Sequence, residues 1–387
     1  MNKEHLALCS SEGWMTYLGT QVVPWAMERV PLGGELLEVG PGPGAATRVL
    51  RDHFSVTAIE YDPDLAAKLM DAYAGDPAVR VRQGDATQLD EPDAKYDAAA
   101  CFTMLHHIPS QAEQDQVFAE VARVLRPGGV FFGVDSLAGP GFYRLHEGDI
   151  CVPVDPATLA ERLEAAGFVD VEIAVRAEGV HWVCSTPEPN GARVQVKQPF
   201  LNTYDTDDFR QGIVNDWVPQ LLEVTGLGDD PLHLDAGPTD AAAPLRAAAP
   251  RLTIAQFDPT FTPEIAARFA DNAAVEVLDV DPTYLPFPDD RFSAATIFLS
   301  LMHLRSTRTQ DAVLRELVRV LRPGATFVGL NAIDGGHFRG MNAHDRAVPI
   351  DPLTFAARLE RAGFVNPRID YWSFPRFSAQ APLTRQR

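Results

Sequence analysis

Residues 36–44 read LLEVGPGPG, and this stretch decides the fold. A short apolar run over 35–39 leads into three alternating glycines, Gly40, Gly42 and Gly44, after which residues 45–51 can start a helix. Glycines between a strand and a helix let the backbone turn tightly and approach a ligand closely. The stretch therefore predicts a strand, a glycine loop and a helix, with either a ligand at the loop or a plain turn.

The alternation continues on both sides of this loop. Further apolar runs predict strands at 56–59, 96–102 and 130–134, the alternation of residues 79–82 predicts another, and 169–175 and 180–183 can form a closing hairpin. Helical periodicity marks 64–74 and the stretch that stops at Pro127. Asp155 and Pro156 form a helix start, and Gly167 stands where that helix should be capped. Alternation of this kind predicts a mostly parallel α/β sheet of seven strands, flanked by helices on both faces.

The chain is written twice. Residues 152–169 read VPVDPATLAERLEAAGFV and residues 348–365 read VPIDPLTFAARLERAGFV, with thirteen of eighteen positions identical at an offset of 196. A period this long indicates duplication of a whole domain, joined by the Pro-, Asn- and Gly-rich stretch 185–191. We expect one domain over 1–186 and a second over 195–387, arranged as an intramolecular pseudo-dimer.

Composition excludes several classes of protein. The 387 residues carry a net charge of −20, which argues against nucleic-acid and anionic-lipid partners. No apolar run is long enough to span a membrane, and the N-terminal stretch lacks the apolar core of a secretory signal. The four cysteines show no CxxC spacing, so free thiols are expected and a metal site is not. The sequence predicts a cytoplasmic protein.

Three carboxylates fall at the carboxyl ends of the first three strands. Glu60 follows Gly40 by 20 residues, a position from which a carboxylate can accept hydrogen bonds from ribose hydroxyls. Asp85 follows the third strand, where it can accept from an adenine amine or form a local turn. Glu38 precedes the glycines, where it would repel a pyrophosphate and favour a sulfonium or an ammonium group. The spacing GxGxG rather than GxGxxG also disfavours a nicotinamide nucleotide.

The motifs LLEVGPGPG, AIEYDPD, RQGDATQL and VLRPGG, in this order over residues 35–175, resemble those of class I S-adenosylmethionine-dependent methyltransferases. The resemblance implies two tandem Rossmann-like domains and S-adenosyl-L-methionine as the cofactor. It is closer to small-molecule methyltransferases of quinone and secondary-metabolite pathways. The positions that it assigns to cofactor binding are Glu38, Gly40, Gly42, Gly44, Glu60, Tyr61, Asp85, Ala86, Phe102 and Thr103.

Two histidines are candidates for a catalytic base. His106 and His107 lie just beyond the fourth strand, which borders the methyl group in the family that the motifs resemble. A histidine titrates near neutral pH and can accept a proton from an acceptor. The alternative is a structural role, which the repeat favours for His107 because His303 matches it, whereas Met302 matches His106.

The second copy has lost most of the loop. Aligning Glu38 with Asp235 places Thr239 and Ala241 where the first copy has Gly42 and Gly44, and leaves Gly237 opposite Gly40. Gln256 replaces Glu60, while Asp281 still matches Asp85. We therefore expect a degenerate second domain without cofactor and methyl transfer to an O, N or C atom of a small molecule in the first. The alternatives are a non-catalytic cofactor-binding or sensing protein and, further off, a nicotinamide-dependent oxidoreductase.

Overall fold

The structure, a computed structural model, describes residues 2–176, 179–189, 191, 193–196, 200–202, 206–223, 225–238, 240–371 and 375–384. Contacts divide the chain into two units, Met1–Pro189 and Asn190–Arg387. We call them the first unit and the second unit.

The first unit contains the seven-stranded sheet that the alternating pattern predicts. Its strands are β1 Glu35–Val39, β2 Ser55–Glu60, β3 Val79–Gln83, β4 Tyr96–Phe102, β5 Leu125–Ser136, β6 Val169–Arg176 and β7 Gly179–Ser185. Their spatial order is β3-β2-β1-β4-β5-β7-β6. β1 to β5 pair in parallel, and β7 runs antiparallel to both β5 and β6. The strand order reverses between β1 and β4, which is where ligands of such sheets bind.

Helices connect these strands and precede the first one. They are α1 Lys3–Cys9, α2 Glu12–Tyr17, α3 Val23–Met27, α4 Thr47–Leu50, α5 Pro63–Ala72, α6 Gln111–Val124, α7 Pro140–Leu145 and α8 Pro156–Ala165, with a π-helical turn at Leu18–Val22 and a 3-10 turn at Leu105–His107. The predicted start of α8 is confirmed, because the Asp155 side chain accepts a hydrogen bond from the Ala157 amide at 2.9 Å. Gly167 follows α8 in the left-handed region, at φ +98°.

Both faces of the sheet are covered by apolar side chains. Leu36 packs in one core cluster with Phe132, and its neighbour Leu37 packs in another with Phe131. Successive strand residues point to opposite faces, so a sheet buried on both sides needs continuous apolar runs rather than alternating ones. Many residues in the middle of the central strands are therefore apolar, and the candidate site forms at the ends of the strands.

The second unit repeats this architecture. Its strands are β8 Pro231–Asp235, β9 Leu252–Gln256, β10 Val275–Asp279, β11 Phe292–Phe298, β12 Leu321–Leu330, β13 Val365–Tyr371 and β14 Pro375–Gln380, in the order β10-β9-β8-β11-β12-β14-β13. Its helices are α9 Asp207–Gln211, α10 Val218–Glu223, α11 Ala242–Ala248, α12 Thr262–Arg268, α13 Thr307–Val320, α14 Gly336–Met341 and α15 Pro352–Ala362, with a π-helical turn at Gly212–Trp217 and a 3-10 turn at Leu301–His303. The identical strand order confirms that the duplicated unit is a whole sheet.

Across the residues described here, we find no helix whose length and apolar character would let it cross a bilayer.

Candidate active site

A cavity of about 670 Å³ opens at the carboxyl ends of β1, β2 and β4 in the first unit. Its wall includes nine of the ten predicted cofactor residues, namely Glu38, Gly40, Gly42, Glu60, Tyr61, Asp85, Ala86, Phe102 and Thr103. Gly44 is the predicted residue that does not line it. The N-terminal helices also contribute, through Cys9, Trp14 and Leu18.

The three glycines of the loop serve different purposes. All three have positive φ, at +65° for Gly40, +54° for Gly42 and +86° for Gly44. A Cβ on Gly40 would collide with Met104, and one on Gly44 would lie 2.7 Å from a methyl group of Leu69. A Cβ on Gly42 would meet no atom of the protein within 4 Å. Gly44 therefore allows the loop to pack closely against Leu69, whereas Gly42 leaves space on the cavity side.

Glu60 is fixed at the end of β2 by the backbone on either side of the cavity. One carboxylate oxygen accepts from the Gly42 amide and the other from the Asp62 amide, each at 2.9 Å. The residue is 7% exposed, and burial raises its pKa while these two hydrogen bonds oppose the shift. Each carboxylate oxygen has a second lone pair. Glu60 is thus oriented to accept further hydrogen bonds from a ligand in the cavity.

Glu38 lies deeper, at 1% exposure. Its Oε2 atom accepts a hydrogen bond from the Thr47 hydroxyl at 2.7 Å. Burial raises the pKa of Glu38 to about 7, with the nearby carboxylate of Glu60 adding to the shift. A cation placed next to Glu38 would favour the ionised form and reverse that shift. Thr47, at the start of α4, was not identified from the sequence.

Asp85 is more exposed than the other two predicted acids. Its Oδ1 atom accepts from the Thr87 amide at 2.8 Å and from the Thr87 hydroxyl at 2.7 Å, so the local turn anticipated as an alternative is present. Tyr61, 72% exposed, and the half-buried Ala86 stand on the same side of the cavity. The turn and a ligand contact are compatible, because the carboxylate still lines the cavity.

The residues at the end of β4 form another part of the cavity wall. Phe102 is 7% exposed and packs edge-on against Phe132. Thr103 has a positive φ of +49°, and its amide donates to the Val134 carbonyl at 2.8 Å. Leu299 in the second unit has nearly the same φ, +52°. The positive φ at this position is therefore a property of the repeated sheet and does not depend on the cavity of the first unit.

The two candidate bases lie in different surroundings. The buried ring of His106 is absent from the cavity wall, and its Nδ1 atom lies 2.5 Å from Oδ1 of Asp135, a buried carboxylate. His107 does line the cavity, but burial and the adjacent histidines His106, His5 and His146 lower its pKa to about 3. An efficient base has a pKa near the working pH. The catalytic role predicted for His106 and His107 stays a prediction, with His106 buried away from the cavity wall and His107 on it.

The wall of the cavity carries one sign of charge. It contains six acidic residues, which are Glu38, Glu60, Asp62, Asp85, Glu113 and Asp149. Among the described residues that line it there is neither a lysine nor an arginine. A cavity lined in this way attracts a cation and repels a pyrophosphate. Its charge therefore disfavours a nicotinamide nucleotide more strongly than the glycine spacing does.

The hydrogen-bond register of the second unit corrects the sequence alignment. In the first unit Val39 of β1 pairs with Cys101 of β4. In the second unit Ile297, which repeats Cys101, pairs with Leu234 of β8. Leu234 therefore takes the place of Val39, and the alignment that matched Asp235 with Glu38 is wrong by two residues.

The corrected register changes what replaces the acid and the first glycine. His233 stands in the place of Glu38, fully buried, with its Nδ1 atom 2.8 Å from the Thr296 hydroxyl. Asp235 stands in the place of Gly40, and its Oδ1 atom accepts from the Ser300 hydroxyl at 2.6 Å. The first glycine is thus replaced by a side chain that the protein itself binds.

The rest of the second loop is altered as well. In the corrected register Gly237 matches Gly42, so the middle glycine of the loop is kept. Ala241 is no longer aligned with Gly44. Thr239, which the alignment had placed opposite Gly42, lies outside the described residues. Gln256 donates to the Gly237 carbonyl at 2.8 Å. In the first unit the corresponding contact runs in the opposite direction, from the Gly42 amide to Glu60.

A segment that the sequence analysis did not identify packs at the carboxyl end of β9. The Val194 amide donates to the Phe257 carbonyl at 2.9 Å, and the Val196 amide donates to Oδ2 of Asp258 at 2.7 Å. Phe257 and Asp258 are fully buried, whereas Tyr61, which repeats as Phe257, is 72% exposed. Residues 193–196 therefore occupy the side of the second sheet that is open in the first.

The fold and this strand-edge site are those of a methyltransferase domain, and the chain belongs to that family. The family model for the methyltransferase domain matches residues 37–133 and again residues 233–329, which together are half of the chain. The two matches confirm both the resemblance and the duplication that the sequence predicts.

Three curated relatives illustrate the similarity. A Mycolicibacterium smegmatis protein named "Probable S-adenosylmethionine-dependent methyltransferase" is 33% identical over 148 residues, 35% of this chain and 52% of the relative. Phosphatidylethanolamine N-methyltransferase of Cereibacter sphaeroides is 32% identical over 109 residues, 27% of this chain and 52% of the relative. The 27-O-demethylrifamycin SV methyltransferase of Amycolatopsis mediterranei is 29% identical over 213 residues, 53% of this chain and 67% of the relative. The chain spans about half the length of the first two.

Proposed function

We propose that the first unit binds S-adenosyl-L-methionine and transfers its methyl group to a small molecule. The observation that carries this proposal is the cavity wall, which combines six acidic residues with an open glycine loop and has no lysine or arginine among its described residues. The cavity volume of about 670 Å³ lies within the range of small-molecule and cofactor sites. The family membership and the names of the relatives support the same reaction class.

The residues fit this cofactor in four places. Glu60 is oriented by the Gly42 and Asp62 amides to accept from two ribose hydroxyls. Glu38 lies where a positive group would be stabilised, and its raised pKa indicates that no other cation serves it among the described residues. Gly42 leaves room for the ligand to approach the backbone. Asp85 stands where an adenine amine would be accepted.

When bound, S-adenosyl-L-methionine would supply an activated methyl group to a nucleophile of the acceptor, with its sulfur as the leaving group. The protein's part is to align the nucleophile and to exclude water. Phe102, Thr103 and Met104 at the end of β4 form the wall that would hold the acceptor against the methyl carbon. Because His107 is a weak base here, a proton lost by the acceptor would pass to solvent or to a carboxylate of the wall.

The charge of the cavity also restricts the acceptor. A phosphorylated or polycarboxylated acceptor would add negative charge beside six acidic residues. We therefore infer a neutral or cationic small molecule, methylated on O, N or C. We further infer that the second unit binds no cofactor, which is supported by Asp235 in the place of Gly40 and by the segment over Phe257.

Calorimetry and a methyl-transfer assay test the proposal together. The full chain should bind S-adenosylmethionine and S-adenosylhomocysteine and should not bind NADH. With tritiated S-adenosylmethionine, label should transfer to neutral or cationic members of a small-molecule panel. Binding of NADH without S-adenosylhomocysteine would overturn the proposal, and cofactor binding with no transfer to any acceptor would point to a sensing protein instead.

A further inference from the structure

Four histidines from three separate segments meet beside the cavity. His5 comes from α1, His106 and His107 from the 3-10 turn after β4, and His146 from the end of α7. One ring nitrogen of each lies within 4.8 Å of those of the other three. His5, His106 and His146 are each at most 5% exposed. We call this group the histidine cluster.

Each ring of the histidine cluster has one buried nitrogen without a hydrogen-bond partner among the described residues. These atoms are Nδ1 of His5 and Nε2 of His106, His107 and His146. Buried polar atoms in folded proteins are nearly always satisfied, and each exception calls for an explanation. Four such atoms in one place indicate that a shared partner is missing from the protein's own side chains.

Hydrogen bonds at the other nitrogen fix the tautomer of two rings. Nδ1 of His146 lies 2.7 Å from the Phe142 carbonyl, which can only accept, so Nδ1 carries the proton. Nδ1 of His106 likewise donates to the Asp135 carboxylate. In a neutral ring the remaining nitrogen, Nε2, then has a free lone pair. Both lone pairs belong to atoms of the unpartnered set.

We propose that the histidine cluster binds one divalent transition-metal ion of the kind that imidazole prefers, with Zn²⁺ as the reference ion. Imidazole nitrogens suit zinc, iron, nickel and copper. A Zn–N bond of about 2.0–2.1 Å corresponds to nitrogens roughly 3.3 Å apart in a tetrahedral site. Side-chain shifts of about 1 Å would bring the nitrogens, now within 4.8 Å of one another, to that distance.

The surroundings of the cluster are those of a metal centre. A carboxylate that accepts from the outer nitrogen of a ligating histidine, as Asp135 does from His106, orients the ring and makes it more basic. Asp149 lies 4.0 Å from Nδ1 of His5 and lines the cavity. The expectation of no metal site depended on the cysteines, and the separation of these histidines in the sequence concealed the cluster.

The second unit provides a built-in comparison in which the cluster is dismantled. The repeat replaces His106 by the buried Met302 and His146 by Asn342. Asn342 keeps the local contact, since its amide donates to the Phe338 carbonyl at 2.9 Å as His146 does to Phe142. His303, which repeats His107, packs instead against the ring of Phe200. The fold therefore does not need these histidines, which argues for a ligand in the first unit.

A bound ion would join the N-terminal helix and the α7 segment to the turn after β4. All three segments border the cavity, since Cys9, His107 and Ile150 line it. The proposed site would thus tether these three parts of the cavity wall to one another. It does not depend on methyl transfer, and its test reads metal binding separately from cofactor binding.

The test uses the full chain, expressed without a polyhistidine tag. After purification, its metal content is measured by plasma mass spectrometry, and chelator-stripped protein is then titrated with Zn²⁺ against a chromophoric chelator. We expect one ion per chain. His146→Asn, the change that the second unit already tolerates, should weaken Zn²⁺ binding at least about 100-fold, and Asp135→Asn about 10- to 100-fold through His106.

His303→Ala, in the dismantled copy, is the matched control and should leave Zn²⁺ affinity unchanged. Stripped wild-type protein that binds Zn²⁺ no more tightly than His146→Asn would overturn the proposal, as would an equal loss in His303→Ala. If His146→Asn fails to fold by circular dichroism, His5→Ala replaces it with the same expectation. Calorimetry with S-adenosylhomocysteine on the same samples shows whether the cofactor proposal stands or fails independently.

Discussion

Replacing Glu38 by glutamine should stabilise the ligand-free protein at alkaline pH while it removes cofactor binding. Glu38 is 1% exposed, and burial raises its pKa to about 7. The glutamine amide oxygen can still accept the hydrogen bond that the Thr47 hydroxyl now donates at 2.7 Å. The substitution therefore removes the buried charge and keeps the local geometry.

The magnitude follows from the pKa difference between the folded and unfolded states. The pKa of Glu38 rises from 4.5 to about 7, and each unit corresponds to about 1.4 kcal/mol. A carboxyl with a raised folded pKa contributes stability below its unfolded pKa and loses it as pH rises through the folded value. The wild-type protein should thus lose about 3 kcal/mol of this contribution between pH 4.5 and 8, and Glu38→Gln should not.

The assay is thermal unfolding of both proteins, without ligand, from pH 5 to pH 8. For a unit of this size, each kcal/mol in the free energy of unfolding shifts the melting temperature by about 2–4 °C. The melting temperature of the first unit should therefore be several degrees higher in Glu38→Gln than in wild type at pH 8. The difference in melting temperature between the two proteins should become smaller toward pH 5. Glu113→Gln, an exposed carboxyl on the same cavity wall, is the control and should change little. Parallel pH profiles for wild type and Glu38→Gln would refute the reasoning.

Three further predictions concern the loop and its acids. Glu60→Gln should weaken S-adenosylhomocysteine binding about 10- to 100-fold in calorimetry, because a hydrogen bond to a charged group contributes about 1.5–3 kcal/mol. Gln256→Ala should leave this affinity unchanged. Gly42→Ala should lower the free energy of unfolding in denaturant titrations by roughly 1–2 kcal/mol, because φ is +54° at this residue. It should also abolish S-adenosylhomocysteine binding. Gly237→Ala should change neither the free energy of unfolding nor the binding. S-adenosylmethionine should bind more tightly as pH rises from 6 to 8 and Glu38 ionises, and a flat affinity profile would contradict this.

The sheet could be predicted from the sequence because its strands are buried on both faces. A strand such as β4, with three consecutive alanines in its middle, reads as a continuous apolar run that ends at a polar turn. The carboxyl ends of those runs placed Glu60 and Asp85 at one edge of the sheet. The one-residue gap near β8 could not be positioned in this way, because DAGP after an apolar run resembles EVGP, and hydrogen-bond register alone separates them.

The parts of the site that the sequence concealed depend on contacts between distant segments. His5, His106 and His146 are far apart along the chain and have no common spacing, so no local motif announces the histidine cluster. The covering of Phe257 by residues 193–196 likewise involves a stretch that follows the predicted linker 185–191 and carries no motif. Pairing of the two units as a pseudo-dimer and the domain limits 1–186 and 195–387 stay predictions.

The central claim is that one of two similar sheets holds the cofactor, and binding stoichiometry tests it most directly. Titration of the full chain with S-adenosylhomocysteine should give one site per chain, lost in Glu60→Gln at the concentrations used and retained in Gln256→Ala. Two equivalent sites, or a single site that Gln256→Ala removes and Glu60→Gln leaves intact, would contradict the account.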